Sequence, residues 1–175
     1  MHALLRSRLA AGLASLETRA GSTALALGIV FLAFALRAYR LGAVGLEGDE
    51  AFSIQAAYSG LTSIVHMAST GEPHPPLYYS FLGLWYQVFG VSEFSLRFPS
   101  LIAGVLTVAA LSKLADRLGW HGAGLVSALL FALNPLQVWY AQEARMYAPV
   151  ALFGLLALYC SLRAVQERRL HHLAL

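Results

Sequence analysis

The chain has 175 residues, of which 58% are hydrophobic and only 12% are charged. Together with a mean hydropathy of +0.63, this composition excludes an ordinary soluble domain and is typical of a membrane protein. The net charge of +3 comes from basic side chains at the ends of apolar segments. Because these side chains form no cluster with interleaved aromatic residues, nucleic acid is not an expected partner.

Cysteine and histidine residues give little information about chemistry. Cys160 is the only cysteine, so an intrachain disulfide is excluded and cysteine use does not indicate the compartment. The six histidines are scattered, and none has the spacing of a metal-ligand set.

The N-terminal part combines a basic segment with an apolar one. Residues 1–20 carry three arginines and several leucines near helical spacing, which predicts an amphipathic segment on the cytoplasmic membrane face. Residues 21–39 are long enough to cross a hydrocarbon core of about 30 Å and form the first predicted transmembrane helix, with Arg37 extending toward the membrane surface. The alternative is a cleaved signal peptide, because residues 33–35 have the small-x-small form of a cleavage site.

Residues 40–95 form the first predicted outer loop and hold most of the acidic residues. A helix is predicted from Asp49 to Ser59, with a shorter one after it. Pro76 and Gly90 are predicted to begin and end an aromatic-rich helix. Its length of about 21 Å is too short to cross the membrane, so we expect it to lie at the interface.

The rest of the chain contains three more apolar segments, which cover residues 95–115, 122–141 and 146–162. The second of them is broken by Asn134-Pro135. A charged end follows at residues 163–175. The predicted fold is therefore all-α: a polytopic bundle of four transmembrane helices, with juxtamembrane helices in the first outer loop. Residues 21–162 form its transmembrane domain, and residues 163–175 are interpreted as a truncated cytoplasmic end.

Charge counting gives the expected orientation. With the N-terminus inside, the inner segments hold eight Lys and Arg residues and the outer segments hold four, which satisfies the positive-inside rule. The loop 40–95 and the turn 142–147 then meet at the outer surface. All six prolines also fall at or near the outer half. Since irregular backbone at membrane depth is tolerated where protein or a wet cavity satisfies it, an outward-facing cavity is expected there.

Three carboxylates within four residues, Glu47, Asp49 and Glu50, lie in the first outer loop. Such acids are costly beside a bilayer unless they stay hydrated, bind a cation or take part in chemistry. The alternative is that Asp49 and Glu50 are first-turn acids of a helix, where the helix dipole favours them.

Four motifs follow one another along the chain: Asp49-Glu50, residues 74–79 (HPPLYY), residues 89–97 (FGVSEFSLR) and residues 142–147 (QEARMY). In this order they resemble the GT-C membrane glycosyltransferases. The similarity is greatest to the branch that contains protein O-mannosyltransferases, lipid A aminoarabinose transferases and the galacturonosyltransferases of lipopolysaccharide core. The resemblance covers residues 27–162, and family members are several times longer, so the chain is interpreted as an N-terminal portion.

The resemblance implies transfer of a sugar from a polyprenyl-phosphate donor to a hydroxyl of a lipid, glycan or protein acceptor, by an inverting single displacement. It also implies a site on the extracytoplasmic face, in a bacterial inner membrane. In the family an acidic residue of the first loop serves the acceptor or a metal, and the motif matches it to Asp49, with Glu50 beside it.

Displacement at a sugar carbon needs these residue types. A carboxylate must take the proton of the attacking hydroxyl, and Asp49 with Glu50 is the candidate. The leaving phosphate needs preplaced cations or donors, which Arg145 and His74 can supply. A divalent metal is a further candidate cofactor, with Asp49 and Glu143 as its ligands.

Each assignment has a structural alternative. Arg145 can pair with Glu143 or lie at the interface, and His74 can be an ordinary loop residue. Arg97 is a supporting candidate, for which the favoured alternative is an interfacial anchor. Tyr78 is a supporting candidate, for which the favoured alternative is a place in the aromatic belt or in the packing.

Two other functional classes stay open: a transporter or flippase segment, and a noncatalytic accessory membrane subunit. A transport path predicts charges near the midplane of the spans. The predicted spans are nearly free of charge and the acids cluster at one face, which favours surface chemistry.

Overall fold

The structure is a computed structural model that describes residues 21–71 and 74–173. Within these residues all regular structure is helical, which confirms the all-α prediction. The helices are α1 (Gly21–Ala38), α2 (Gly48–Tyr58), α3 (Leu61–Ser69), α4 (Pro76–Phe89), α5 (Glu93–Arg117), α6 (His121–Leu133), α7 (Pro135–Ala141) and α8 (Tyr147–Leu173).

Four units of the described chain are suited to cross a membrane. Helices α1, α5 and α8 are each long and apolar enough, and α6 with α7 forms a fourth candidate bent by 65°. The described chain thus has three candidate spans, or four if the bent pair is one span, which fits the predicted helical bundle and indicates a membrane protein. Helix α5 is central and packs against α6, α7 and α8, while α1 packs against α5 and α6 through Ile29 and Ala33.

The short helices α2, α3 and α4 pack on one another around a core that includes Ile54, Tyr79 and Leu82. Helix α4 starts with a proline and ends before Gly90, whose φ of 82° is left-handed. Gly83 lets α4 approach α2, because a Cβ there would lie 3.1 Å from a backbone oxygen of α2. Helix α4 has 14 residues, and like α2 and α3 it is not a candidate span.

Three prolines, Pro99, Pro135 and Pro149, each remove a backbone N–H and free the carbonyl four residues earlier. Each freed carbonyl accepts a hydrogen bond from a side chain of another helix. Trp85 Nε1 donates to Ser95 O (2.9 Å), Arg37 Nη2 donates to Phe131 O (3.4 Å) and Ser100 Oγ donates to Arg145 O (3.0 Å). These bonds join α4 to α5, α1 to α6, and α5 to the segment that precedes α8.

The prediction that Arg37 extends to the membrane surface is wrong. Its exposed fraction is 0%, and its guanidinium also donates to Ala33 O and Ala132 O, both at 3.2 Å. The broken end of α6 supplies backbone acceptors inside the protein, so the side chain does not have to reach water for partners.

Helix α8 is longer than the sequence predicted. The charged residues after 162 continue it to Leu173, supported by an i,i+4 contact of Arg163 with Glu167 (2.7 Å) and by Gln166, which donates to Arg117 O (3.3 Å). The predicted amphipathic segment 1–20 and the predicted truncation at residues 174–175 lie outside the described residues.

A labelling experiment tests the predicted orientation. Val44 and Trp120 are exposed and lie near opposite ends of the bundle. With Cys160→Ser as background, Val44→Cys should react with a membrane-impermeant maleimide in intact cells, and Trp120→Cys should react only after permeabilisation. The reverse pattern would contradict the orientation set by the positive-inside rule.

Candidate functional site

A buried ion pair lies where the segment between α1 and α5 meets the start of α5. Glu50, in the first turn of α2, accepts hydrogen bonds from Arg97 Nε (2.8 Å) and Arg97 Nη2 (2.6 Å). The two side chains are 3% and 6% exposed. This forked geometry is the strongest form of a carboxylate–guanidinium contact.

The remaining donors of Arg97 hold the segment after α1. Nη1 donates to Leu41 O (3.0 Å) and Val44 O (2.8 Å), and Nη2 donates to Gly45 O (3.1 Å). Together with the contacts to Glu50, these bonds use all five N–H groups of a guanidinium. Arg97 therefore has no donor left for a ligand.

Glu50 joins a third segment to this pair. Its carboxylate also accepts from the backbone N–H of Ala144 (2.7 Å) and of Glu47 (3.1 Å). Burial by itself raises the pKa of Glu50, but the hydrogen bonds from Arg97, Ala144 and Glu47 outweigh it and lower the pKa below its usual value. Glu50 is thus an ionised junction between α2, α5 and the α7–α8 turn.

Asp49 has the opposite environment although it precedes Glu50 directly. Its side chain is 81% exposed, and its carboxylate lies 3.7 Å from Arg145 Nη2. Consecutive helical residues point in different directions, so one acid enters the core while the other faces the solvent. Asp49 keeps an open side from which a ligand can approach.

Arg145 lies beneath this exposed carboxylate. Its side chain is 4% exposed, and Nη1 donates to Asp49 O and to Ser53 Oγ, both at 3.1 Å. Nη2 lies 3.3 Å from His74 Nε2, and the guanidinium carbon lies 5.6 Å from the centre of the Tyr147 ring. The structure therefore brings Asp49, His74 and Arg145 together.

Glu143 lies near these residues, but its carboxylate is not the ion-pair partner of Arg145, which pairs with Asp49. Burial, followed by the negative charges of Glu50 and Glu47, raises the pKa of Glu143. No group of three His, Cys, Asp or Glu residues that could hold a metal ion occurs in the described part of the chain. Metal binding by Asp49 and Glu143 stays a prediction.

An apolar cavity of about 460 Å³ opens beside the cluster, between α4, α5 and α8. Three of its lining residues, Pro75, Tyr78 and Met146, are sequence neighbours or near neighbours of His74 and Arg145. The Tyr78 hydroxyl is buried without a hydrogen-bond partner in the described structure, and burial raises its pKa. Tyr78 thus belongs to the wall of this cavity.

Several contributors to the site were not predicted. Ser53 has a recoverable signal, because it lies four residues after Asp49 on the same face of α2. The backbone N–H of Ala144 and the Ser100 hydroxyl have none, since their partners are 94 and 45 residues away in the chain.

Comparison with known proteins gives a family and a distant relative. Residues 73–175, more than half of the chain, match the family of dolichyl-phosphate-mannose-protein mannosyltransferases. A protein of Aquifex aeolicus (strain VF5), described as uncharacterized, is 35% identical over 86 residues, which are 49% of this chain. The chain spans only 17% of the length of that relative. No solved structure matches significantly.

Removing Glu50 should destabilise the fold. Glu50→Ala strands the buried guanidinium of Arg97, so we expect the free energy of unfolding to fall by about 3–5 kcal/mol, measured by detergent-induced unfolding. The matched control is Glu47→Gln, because Glu47 is exposed and a glutamine keeps a side-chain oxygen for the capping box of α2.

The pH dependence follows from the lowered pKa of Glu50. Its contribution to stability is fully present above the ordinary carboxyl pKa of 4.5 and is lost as the pH falls through the lower folded value. The free energy of unfolding of the wild type should therefore fall as the pH is lowered below 4.5, and the fall should be smaller in Glu50→Gln. Equal stability of Glu50→Ala and the wild type would contradict the junction role.

Proposed function

The chain belongs to the dolichyl-phosphate-mannose-protein mannosyltransferase family, a family of GT-C type glycosyltransferases, and on this premise we propose that it forms part of the site of such an enzyme. The complete protein transfers a sugar from a polyprenyl-phosphate donor to an acceptor hydroxyl on the extracytoplasmic face of a bacterial inner membrane. The matched relative is several times longer than this chain, so the activity is assigned to the complete protein.

The observation that carries this proposal is the exposed Asp49 carboxylate held 3.7 Å from the buried Arg145 guanidinium. A carboxylate that accepts a proton and a cation that stabilises a leaving phosphate are the two groups that the reaction requires. Both lie where the segment between α1 and α5 meets the α7–α8 turn, with Asp49 at the surface and Arg145 beneath it.

The proposed reaction is a single displacement with inversion. The acceptor oxygen attacks the anomeric carbon of the donor sugar while the bond from that carbon to the phosphate oxygen breaks. The acceptor proton passes to Asp49, and the bonding electrons leave with the polyprenyl phosphate. Asp49 suits the role of base because its carboxylate is open to a ligand.

The donor would be held by two parts of the same surface. Arg145 Nη2 and His74 Nε2 lie together at one end and would contact the phosphate oxygens. The apolar cavity begins at the neighbouring Pro75 and Met146 and would take the first isoprene units of the lipid. An anionic head with an apolar tail fits this order of a cation followed by an apolar groove.

Glu50 and Arg97 are assigned positioning roles. The sequence suggested Glu50 as a catalytic partner of Asp49 and Arg97 as a supporting ligand. Because the Glu50 carboxylate takes four hydrogen bonds and Arg97 has used all its donors, we propose that the pair holds the loop on which Asp49 stands.

Asp49→Asn tests the base. The substitution keeps the side-chain shape but removes proton acceptance, so kcat of the full-length protein should fall by about 10²-fold or more, with donor Kd unchanged. The control is Glu47→Gln, an exposed acid two residues earlier. A kcat near that of wild type would contradict the proposal, and weaker donor binding by Asp49→Asn would indicate a metal-binding role.

Arg145→Lys tests the phosphate contact. Lysine keeps the charge but loses the planar fork, so donor Kd should rise about tenfold while turnover at saturating donor is largely kept. Arg40→Lys, at an exposed arginine of the same outer surface, is the matched control. Unchanged donor Kd with reduced kcat would contradict phosphate binding and would show that Arg145 acts through Asp49.

A further inference from the structure

Arg37 is a fully buried charge that the proposed reaction does not use. It lies in the last turn of α1, and no acidic side chain pairs with it in the described part of the chain. A buried arginine is costly unless its charge and its N–H groups are compensated. The fold must therefore supply that compensation by other groups.

The broken end of α6 supplies part of this compensation, while Arg37 Nε has no hydrogen-bond partner in the described structure. Arg37 donates to Phe131 O (3.4 Å) and Ala132 O (3.2 Å). Both carbonyls lack their helical donors, because Pro135 has no N–H and the side chain of Asn134 accepts the next one. The C-terminal end of a helix also carries partial negative charge, which favours a guanidinium there.

Gln142 caps the C-terminal end of α1. Its Nε2 group donates to Arg37 O (3.1 Å) and Tyr39 O (2.9 Å), with Leu36 O at 3.4 Å. Leu36 and Arg37 belong to the last turn of α1 and Tyr39 follows the helix, and such terminal carbonyls have no donor within the helix. Arg37 thus caps the C-terminal end of α6, and Gln142, which follows α7, caps the C-terminal end of α1. We call the side chains of Arg37 and Gln142 the α1–α7 clasp.

Helix α5 closes tightly over the clasp. A Cβ at Gly104 would lie 2.7 Å from the Ala141 side chain and 2.9 Å from Arg37 Nε. The glycine therefore permits α1, α5 and α7 to meet at one point. The clasp lies at the base of the turn that carries Ala144, which bonds to Glu50, and Arg145.

We propose that Arg37 and Gln142 are positioning residues for donor binding. The clasp fixes the position of the end of α7 relative to α1. It thereby fixes the position of the turn that follows α7, and hence of the Arg145 guanidinium beneath Asp49. This inference rests on the proposed role of Arg145 in binding the donor phosphate.

The test uses the full-length protein and four variants. Arg37→Met removes the charge and the donors, Arg37→Lys keeps the charge, Gln142→Met removes the opposite cap, and Arg40→Met is a control at a nearby exposed arginine. Two quantities are measured: donor Kd and kcat with a polyprenyl-phosphate sugar, and the distance distribution between nitroxides at the exposed Leu25 and Leu136. The labelled proteins lack native cysteines.

We expect Arg37→Met and Gln142→Met to broaden the distance distribution and to raise donor Kd by about tenfold, with a smaller change in kcat. Arg37→Lys should recover part of both losses, and Arg40→Met should match wild type. Because Gln142→Met leaves the guanidinium in place, it decides the matter if Arg37→Met fails to fold.

Wild-type distances and affinity in both clasp variants would overturn the inference. A broadened distribution with unchanged donor Kd, in a protein whose Arg145→Lys variant binds donor weakly, would overturn it as well, since the clasp would then be only structural. If Arg145→Lys itself left donor Kd unchanged, the proposed function of Arg145 would fail, while the distances would still report on the clasp.

Discussion

The structure depends on one constraint: a backbone carbonyl inside a membrane bundle must find a donor within the protein. Pro99, Pro135 and Pro149 each leave one carbonyl without its helical partner. Side chains from other helices supply the missing donors. Breaks that would weaken an isolated helix thereby become bonds between helices, and they lie at the end of the bundle that carries the candidate site.

Asp49 and Glu50 are consecutive residues in the first turn of α2, yet one is exposed and the other is buried. Glu50 enters a low-dielectric site where its four hydrogen bonds outweigh the cost of desolvation and lower its pKa. Asp49 points away from that site and stays largely exposed. The stable, ionised Glu50 fixes the start of α2, and the exposed Asp49 is left free to meet a ligand.

Arg97 and Arg145, two of the three buried arginines of the described chain, differ in the same way. All N–H groups of the Arg97 guanidinium donate to Glu50 or to the segment after α1. Its role is therefore structural. Arg145 has fewer fixed partners, and its Nε atom has none in the described structure. A guanidinium that protein acceptors do not saturate, next to an exposed carboxylate and a histidine, is suited to an anionic ligand, which is the basis for assigning it the donor phosphate.

Much of the fold is contained in the sequence. The lengths of the apolar segments and the Asn134-Pro135 break predict the four spans, because membrane thickness sets a length that sequence alone can be compared with. Pro76 and Gly90 likewise mark the interfacial helix, since both act through local backbone geometry. The residues His74, Asp49 and Arg145 were identified from their motifs, and the charge pattern placed them on one surface.

The sequence did not determine which of these residues are structural and which are open to a ligand. Whether Arg37 reaches water or caps a broken helix depends on acceptors that lie 94 and 95 residues away, and the chain order does not record that proximity. The burial of Glu50 and the saturation of Arg97 depend in the same way on backbone groups of distant segments. Local geometry and membrane thickness are written into the sequence, whereas the pairing of buried polar groups is decided only when the helices pack, because that pairing joins atoms that no local rule brings together.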